Sequence, residues 1–328
     1  MNHKMESRDY IKRFYSADTH EILLEHNRKR GRADEYSDYR SKWEATPNRQ
    51  YDKPLELVLE LNNYCNMACA MCYRNHQAFG QKIDMGDDML DDILEFARAN
   101  KIPSVRIGAF AECTLRHDIT RVINKIGLAG TLDFWMITNG SQLGKHNILE
   151  SIFDAGLTHL CISLDAATQN TFEKIRGKSI SLAEIESNIH RFLTVRKKRY
   201  LKLPLLRVSF VVTSENEIEW DLFLEKWGGI ADIIDFQNLI ESDLDAVHKA
   251  IQENPQKNYE DCIDPIKMLV IKADGELLPC CNIDYVPIGK SVYYGRDYMN
   301  FMDYWNSEEH RIFSQKTALA KRAKAQKP

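Results

Sequence analysis

Cys65-Asn66-Met67-Ala68-Cys69-Ala70-Met71-Cys72-Tyr73 sets three thiols at spacing C-x3-C-x2-C. The stretch follows Leu55-Glu56-Leu57-Val58-Leu59-Glu60-Leu61, with leucine at every second position, and then Asn62-Asn63-Tyr64. A period of two that ends in amides predicts a strand running into a loop. A loop can wrap three thiolates around one face of an inorganic cluster, and cysteine thiolates are the usual ligands of iron–sulfur clusters. Three protein ligands to a four-iron cluster leave one iron open for a small molecule. A zinc knuckle competes with this reading, but a closed structural zinc site needs four ligands. The nearest fourth donor is His76. Buried free cysteines are common, yet three within one short loop are not ordinary core composition.

Working outward, the 328 residues suffice for one large domain or a barrel with an appendage. Hydrophobic residues make up 44% and charged residues 28%, a globular balance. The net charge of −4 gives no basic field that would mark nucleic acid as the main partner. No apolar run approaches the length of a membrane span. Met1-Asn2-His3-Lys4-Met5-Glu6 lacks the apolar core of a signal peptide. Eight cysteines without a secretion signal read as metal or redox ligands rather than a disulfide framework, which predicts a reducing, cytoplasmic setting.

Residues 1–53 are polar, with aromatics at Tyr10, Phe14, Tyr15, Tyr36, Tyr39 and Trp43, and predict a helical segment packed on a larger body. From Pro54 the pattern alternates. Strands are expected near 55–61, 104–108, 132–137, 159–164, 205–212 and 231–236. Helices are expected at 87–100, 117–128, 145–155, 168–176, 181–198 and 218–227. Strands alternating with helices imply right-handed crossovers and a parallel sheet. The fold class is therefore α/β: a partial (β/α)6 TIM-like barrel over 54–242, followed by a small C-terminal hairpin-plus-helix domain over 243–328. Parallel barrels carry their chemistry at the C-terminal strand ends, where the cysteine loop lies.

The cysteine motif resembles that of the radical S-adenosylmethionine (SAM) enzymes, and the resemblance covers roughly 54–240. It implies that Cys65, Cys69 and Cys72 hold a [4Fe-4S] cluster whose open iron binds the amino and carboxylate groups of SAM. It also implies that Tyr73 occupies the aromatic position beside the last cysteine. Gly108-Ala109-Phe110-Ala111-Glu112-Cys113 stands where the family has Gly-Gly-Glu-Pro, so Glu112 matches the acid that holds the SAM amino group, while Ala111 and Cys113 depart from the pattern. Thr138-Asn139-Gly140 resembles the family's Thr-Asn-Gly, and Ser163-Leu164-Asp165 its Ser-x-Asp on the ribose side of SAM. Phe172 and Arg176-Gly177 are similar to a Tyr-x-x-x-Arg-Gly signature, which makes Arg176 a candidate partner of the SAM carboxylate through its planar fork. Alone, Asn139-Gly140 is a turn, Asp165 a helix cap and Arg176 a surface residue. In order at strand ends, they favour function. Cys161 reads as core. Cys113, beside the SAM site, is a candidate hydrogen donor.

After Asp243 the alternation stops. Asp274-Gly275 between apolar runs is a hairpin signal that would bring Cys262 near Cys280-Cys281. The spacing, with Ile288-Gly289 and Tyr304-Trp305-Asn306-Ser307, resembles a truncated SPASM or twitch domain. That resemblance makes Cys262, Cys280 and Cys281 candidate ligands of an auxiliary iron–sulfur cluster. A reduced hairpin without metal is the alternative.

The expected function is a radical SAM enzyme that cleaves SAM and abstracts a hydrogen atom, oxidising or epimerising a carbohydrate-type small molecule. Its electrons would come from a donor such as flavodoxin or ferredoxin. A ribosomal-peptide maturase acting on a peptide substrate is the alternative within the family, although no winged-helix leader-binding domain is visible. A non-enzymatic iron–sulfur or zinc scaffold is the alternative outside it.

Overall fold

The computed structural model describes residues 4–8, 11–16, 18–46, 49, 51–72, 74, 81–145, 147–239, 264–279, 301–308, 310–311 and 314. In chain order the strands are β1 (Lys4–Arg8), β2 (Ile11–Tyr15), β3 (Glu56–Leu59), β4 (Ser104–Ile107), β5 (Asp133–Thr138), β6 (His159–Ser163), β7 (Leu205–Val212), β8 (Ile233–Asn238), β9 (Met268–Ile271) and β10 (Leu277–Leu278). The helices are α1 (Thr19–Lys29), α2 (Ala33–Ala45), α3 (Asp87–Ala99), α4 (Ile119–Gly127), α5 (Ile148–Asp154), α6 (Gln169–Arg176), α7 (Leu182–Lys198), α8 (Trp220–Trp227), α9 (Asp264–Lys267) and α10 (Phe301–Asn306).

Strands β3 to β8 lie side by side in chain order, and each pairs parallel to the next. This is the arrangement that helical crossovers impose. The sheet is open, with β1 and β10 at its edges. Alternation along the strands separates two faces. Leu57, Val105, Ile107, Phe134, Met136, Leu160, Ile162, Val208, Phe210 and Phe236 pack with Leu90, Ile93, Val122, Ile126, Ile185, Ile189, Phe192 and Phe223 of the helices in the main core. Each such side chain, fully buried, contributes about 1.5–3 kcal/mol. The intervening positions, Glu56, Arg106, Asp133, Trp135, His159, Cys161, Arg207 and Asp235, belong to the other face. Cys161 is buried there, outside the apolar clusters.

The N-terminal segment differs from its expectation as a helical unit. Residues 19–45 are largely helical, but β1 and β2 form an antiparallel hairpin, and β2 pairs antiparallel with β8. The edge of β8 offers backbone donors and acceptors that need partners. Phe14 anchors the join, edge-on to Phe236 at 5.9 Å. Helices α1 and α2 bring Leu23, Tyr36 and Tyr39 against Leu55, Leu132, Leu205 and Ile233, at or just before the starts of β3, β5, β7 and β8. They cover the N-terminal ends of the strands and leave the C-terminal ends for the site.

The C-terminal hairpin forms at Asp274-Gly275, with Gly275 at φ +89°, a left-handed turn geometry that suits glycine. It does not stand apart from the barrel, because β9 pairs parallel with β3 and so extends the same sheet. Helix α10 packs Phe301 on Phe96 of α3 at 4.9 Å, and Trp305 Nε1 donates to the Tyr51 carbonyl at 2.9 Å. Among the described residues no helix is long and apolar enough to cross a membrane.

Candidate active site

The loop after β3 carries the triad, and neighbouring backbone fixes its course. The Asn62 amide donates to the carbonyls of Tyr64 (2.9 Å) and Glu112 (3.3 Å), and Tyr64 Oη donates to Asp84 at 2.8 Å. Arg74 Nη2 donates to the Asn63 carbonyl at 2.6 Å. On the far side, the Ala70 N–H donates to the Ile175 carbonyl at 2.7 Å, joining the loop to the end of α6. Cys69 is buried, while Cys65 and Cys72 are half-buried. Tyr73 and His76 lie outside the described residues.

Two of the sulfurs have side-chain N–H donors. Arg176 Nη1 donates to Cys69 Sγ at 3.4 Å, and Asn139 Nδ2 donates to Cys65 Sγ at 3.9 Å and to Asn66 Oδ1 at 2.9 Å. The Met67 N–H also donates to Cys65 Sγ, at 3.5 Å. Burial pushes the Cys65 and Cys72 thiols above their ordinary range. Iron must displace those protons on binding.

Arg176 is the joint of the site. Its Nη2 lies 2.5 Å from Oδ2 of Asp165, which is wholly buried just beyond β6. Burial alone would lower the Arg176 pKa, but the Asp165 carboxylate and the Cys69 sulfur outweigh it and hold the guanidinium charged. Asp165 Oδ1 accepts from the Val211 N–H at 2.7 Å, and Asn216 Nδ2 donates to the Asp165 carbonyl at 2.9 Å. Asp165 sits at φ +59°, a conformation uncommon outside glycine that Asp tolerates better than most residues. Both its carboxylate oxygens are engaged within the protein. Ser163 is half-buried, with Oγ 3.5 Å from Ser209 Oγ of β7.

Glu112 is likewise turned inward. Oε1 accepts from the Thr114 N–H (3.2 Å), the Thr114 hydroxyl and the Thr138 hydroxyl (2.7 Å), while Oε2 accepts from the Asn139 N–H at 2.7 Å. Burial raises its pKa, and these donors pull it back. The carboxylate thus pins the end of β5, where Asn139 faces the triad. Cys113 is 1% exposed in the main core, and its thiol is directed at the Ile137 carbonyl 3.8 Å away. The structure packs it inside the protein. Cys262, Cys280 and Cys281 lie outside the described residues.

Sequence reading missed several residues that build this frame. Glu219 accepts from the Ala167 N–H at 2.7 Å and from the Thr171 hydroxyl at 2.6 Å, which fixes the start of α6. Arg116 spans the Leu61 and Met85 carbonyls at 3.2 and 2.7 Å. Asn66 carried a signal, since it is a polar residue inside the motif, and it donates to Ser141 Oγ at 3.1 Å.

Residues 59–224, just over half of the chain, match the radical SAM superfamily. The chain belongs to the radical SAM superfamily. A probable GTP 3',8-cyclase of Metallosphaera sedula is 27% identical over 52% of this chain and 51% of its own length, so the chain spans about half the length of the curated relatives it matches. Among solved structures, SuiB of Streptococcus suis bound to S-adenosylmethionine aligns with TM-score 0.58 at 18% identity, covering 87% of this chain and 72% of SuiB. BtrN in complex with AdoMet and 2-DOIA aligns with TM-score 0.50 at 12% identity, covering 83% of this chain and 90% of BtrN. At these identities the likeness is one of fold, and that fold is the TIM-like barrel of radical SAM proteins.

A [4Fe-4S] cluster and SAM are the cofactors of a radical SAM protein. The donor set fits the cluster: three thiols on one loop, with N–H donors already directed at two of the sulfurs. Among the described residues no three His, Cys, Asp or Glu side chains converge as the ligands of a single ion do. Thiolates that each take a different iron stand wider apart than that.

Proposed function

We propose that this chain is a radical SAM enzyme whose Cys65, Cys69 and Cys72 hold the cluster, and that it abstracts a hydrogen atom from a small-molecule substrate bound at the C-terminal strand ends. The observation that carries the reading is the double engagement of Arg176, which holds Cys69 Sγ and Asp165 at once and so joins the cysteine loop to the ends of β6 and α6. A cluster held by Cys65, Cys69 and Cys72 would pass one electron from an external donor to SAM, and so would supply methionine and a 5′-deoxyadenosyl radical.

The chain's own residues do the rest. N–H donors from Arg176, Asn139 and Met67 stabilise negative charge on the sulfurs, a means by which proteins tune cluster potentials. Glu112 and Asp165 act through others: Glu112 holds Asn139 in place, and Asp165 holds Arg176. Asn139 keeps a polar group beside the triad and Ser163 one at the end of β6, where they can meet SAM. A buried, closely bonded frame of this kind also limits water around a reactive intermediate.

The relatives bear on the reaction type. The curated ones are named as a cyclase acting on GTP, which lends no support to oxidation or epimerisation of a carbohydrate. SuiB has also been solved with its precursor peptide SuiA, so the same fold accommodates peptides. On the curated relatives' side we set the reaction as hydrogen abstraction from a small molecule, with a peptide as the alternative and flavodoxin or ferredoxin as the class of electron donor. An auxiliary cluster on Cys262, Cys280 and Cys281 would add an electron acceptor and favour net oxidation. Anaerobic reconstitution with iron and sulfide, then SAM and dithionite, tests the core reading. 5′-Deoxyadenosine is expected from the wild type and none from Cys69→Ala. Undiminished cleavage by that variant would refute it.

A further inference from the structure

On the sheet face opposite the helices, β2, β7 and β8 bring two guanidiniums to one carboxylate. Arg13 Nε lies 2.5 Å from Asp235 Oδ1, and its Nη2 lies 3.3 Å from Oδ2. Arg207 also pairs with Asp235 Oδ2. The Asp235 side chain is 0% exposed, that of Arg207 11% and that of Arg13 21%. Arg106 stands on the same face and answers to its own acid, Glu56, at 2.6 Å. Arg106 and Arg207 both approach the Trp135 ring, with centroid distances of 5.6 and 5.3 Å. Lower on the face, Asp133 bonds His159 at 3.0 Å, and Arg40 feels its charge. Asp133 stands level with Glu56 across Ser104, so among the described residues of this face Arg13, Arg40, Arg106 and Arg207 meet Glu56, Asp133 and Asp235, four guanidiniums to three carboxylates.

A surplus buried charge is costly unless something compensates it. Arginine does not relieve it by losing a proton inside a protein. Burial, then the charges of Arg13 and Arg106, already depress the Arg207 pKa to about 9. Arg207 Nε is buried and has no hydrogen-bond partner among the described residues. The fork that faces Asp235 thus retains both a charge and a donor to give.

The position matters as much as the charge. Arg207, Ser209 and Val211 alternate along β7 on one face. Ser209 touches Ser163, and the Val211 N–H holds Asp165. Two residues of strand span about 7 Å, so Arg207 lies one such step below the residues that frame the SAM site. A group held there would leave the remainder of a small molecule pointing toward the C-terminal strand ends.

We propose that Arg207 and Arg13 bind an oxyanion of the substrate, a phosphate or a carboxylate, on the inner face of the sheet one strand step below Ser163. The proposal rests on the radical SAM reading for the substrate's role, but not for the binding itself. Calorimetry with the full chain carrying Cys65→Ala, Cys69→Ala and Cys72→Ala separates the two. Inorganic pyrophosphate and malonate serve as probes, one for each oxyanion chemistry. Saturable binding of at least one is expected, and the one preferred identifies phosphate or carboxylate. Arg207→Met should weaken it by about tenfold or more, as loss of a charge-assisted bond does. Arg13→Met, at the better exposed partner, gives the same readout should Arg207→Met fail to fold. Arg199→Met, which removes an exposed pair with Asp154, should leave binding unchanged. Absence of binding by both probes, or binding by Arg207→Met and Arg13→Met equal to that of the parent, overturns the proposal even where the wild type cleaves SAM. Binding that persists where the wild type fails to cleave SAM supports the site and overturns only the radical reading.

Discussion

Replacing Arg176 by methionine keeps most of the unbranched stem of the side chain and removes its charged head. Asp165, 0% exposed, then keeps the Val211 N–H on Oδ1 and loses the guanidinium from Oδ2. Truncating one partner of a buried ion pair costs about 3–5 kcal/mol, because the other charge stays buried without compensation. The remaining Val211 bond places the expected loss toward the lower end, about 3 kcal/mol. Asp165→Asn strands the arginine instead, leaving it Cys69 Sγ among the described residues, and should cost a similar amount. The double variant removes both charges, so its loss should fall short of the sum by about 2 kcal/mol or more, the coupling of residues in one network. Urea unfolding of the cluster-free protein under anaerobic reducing conditions, followed by tryptophan fluorescence, measures all corners of the cycle. Single variants within about 1 kcal/mol of wild type, or an additive double variant, would refute the argument that this pair joins the cysteine loop to β6.

Two further outcomes follow from the geometry and a third from the cysteines of the C-terminal hairpin. Glu112→Gln leaves at least one of its donors facing an amide N–H rather than an oxygen, so it should cost about 1–3 kcal/mol in the same unfolding assay. His310, buried and bonded through Nδ1 to the Trp305 carbonyl at 2.9 Å, is lowered to about 4, chiefly by burial. Below the unfolded value of 6.5 the unfolded chain takes up a proton that the folded ring refuses, so stability falls between pH 6.5 and about 4, by about 3 kcal/mol in all. His310→Leu should flatten that part of the pH profile of the unfolding midpoint. If Cys262, Cys280 and Cys281 hold an auxiliary cluster, reconstituted protein carries about eight irons per chain and loses about half on Cys262→Ala/Cys280→Ala substitution; a count of about four, unmoved by those substitutions, leaves the hairpin without a cluster.

The helix-facing half of this fold was legible because it is governed by period. The run from Leu55 to Leu61 and the stripe of Met89, Leu90, Ile93 and Leu94 each commit a face to the core, and the observed elements β3 and α3 follow them closely. The cysteine triad was legible through its spacing, and the residues ending β5 and β6 only through the family resemblance. The N-terminal hairpin was not, because Lys4-Met5-Glu6-Ser7-Arg8 carries no apolar alternation to announce a strand. Nor could the direction of each buried carboxylate be read. Glu112 turns to Thr138 and Asn139, and Asp235 meets an arginine 222 positions away, so packing across the sheet decides both.

The inner face nonetheless left a trace in the sequence. Strands of a parallel sheet covered on both sides read as nearly continuous apolar runs. Here Glu56, Arg106, Asp133, His159, Arg207 and Asp235 each interrupt such a run at the position facing away from the helices. A polar residue on that face in six successive parallel strands is not what apolar covering would select. It indicates a sheet face whose business is with charge. That inference needs only the phase of the alternation, which the leucines before Cys65 already set for β3. The arginines on that face then lead to β7, the same strand that the Ser163 and Asp165 contacts reach from beyond β6. Two independent signals thus converge on β6 to β8: the thiol spacing through Cys69, Arg176 and Asp165, and the phase of the polar interruptions through Arg207 and Asp235.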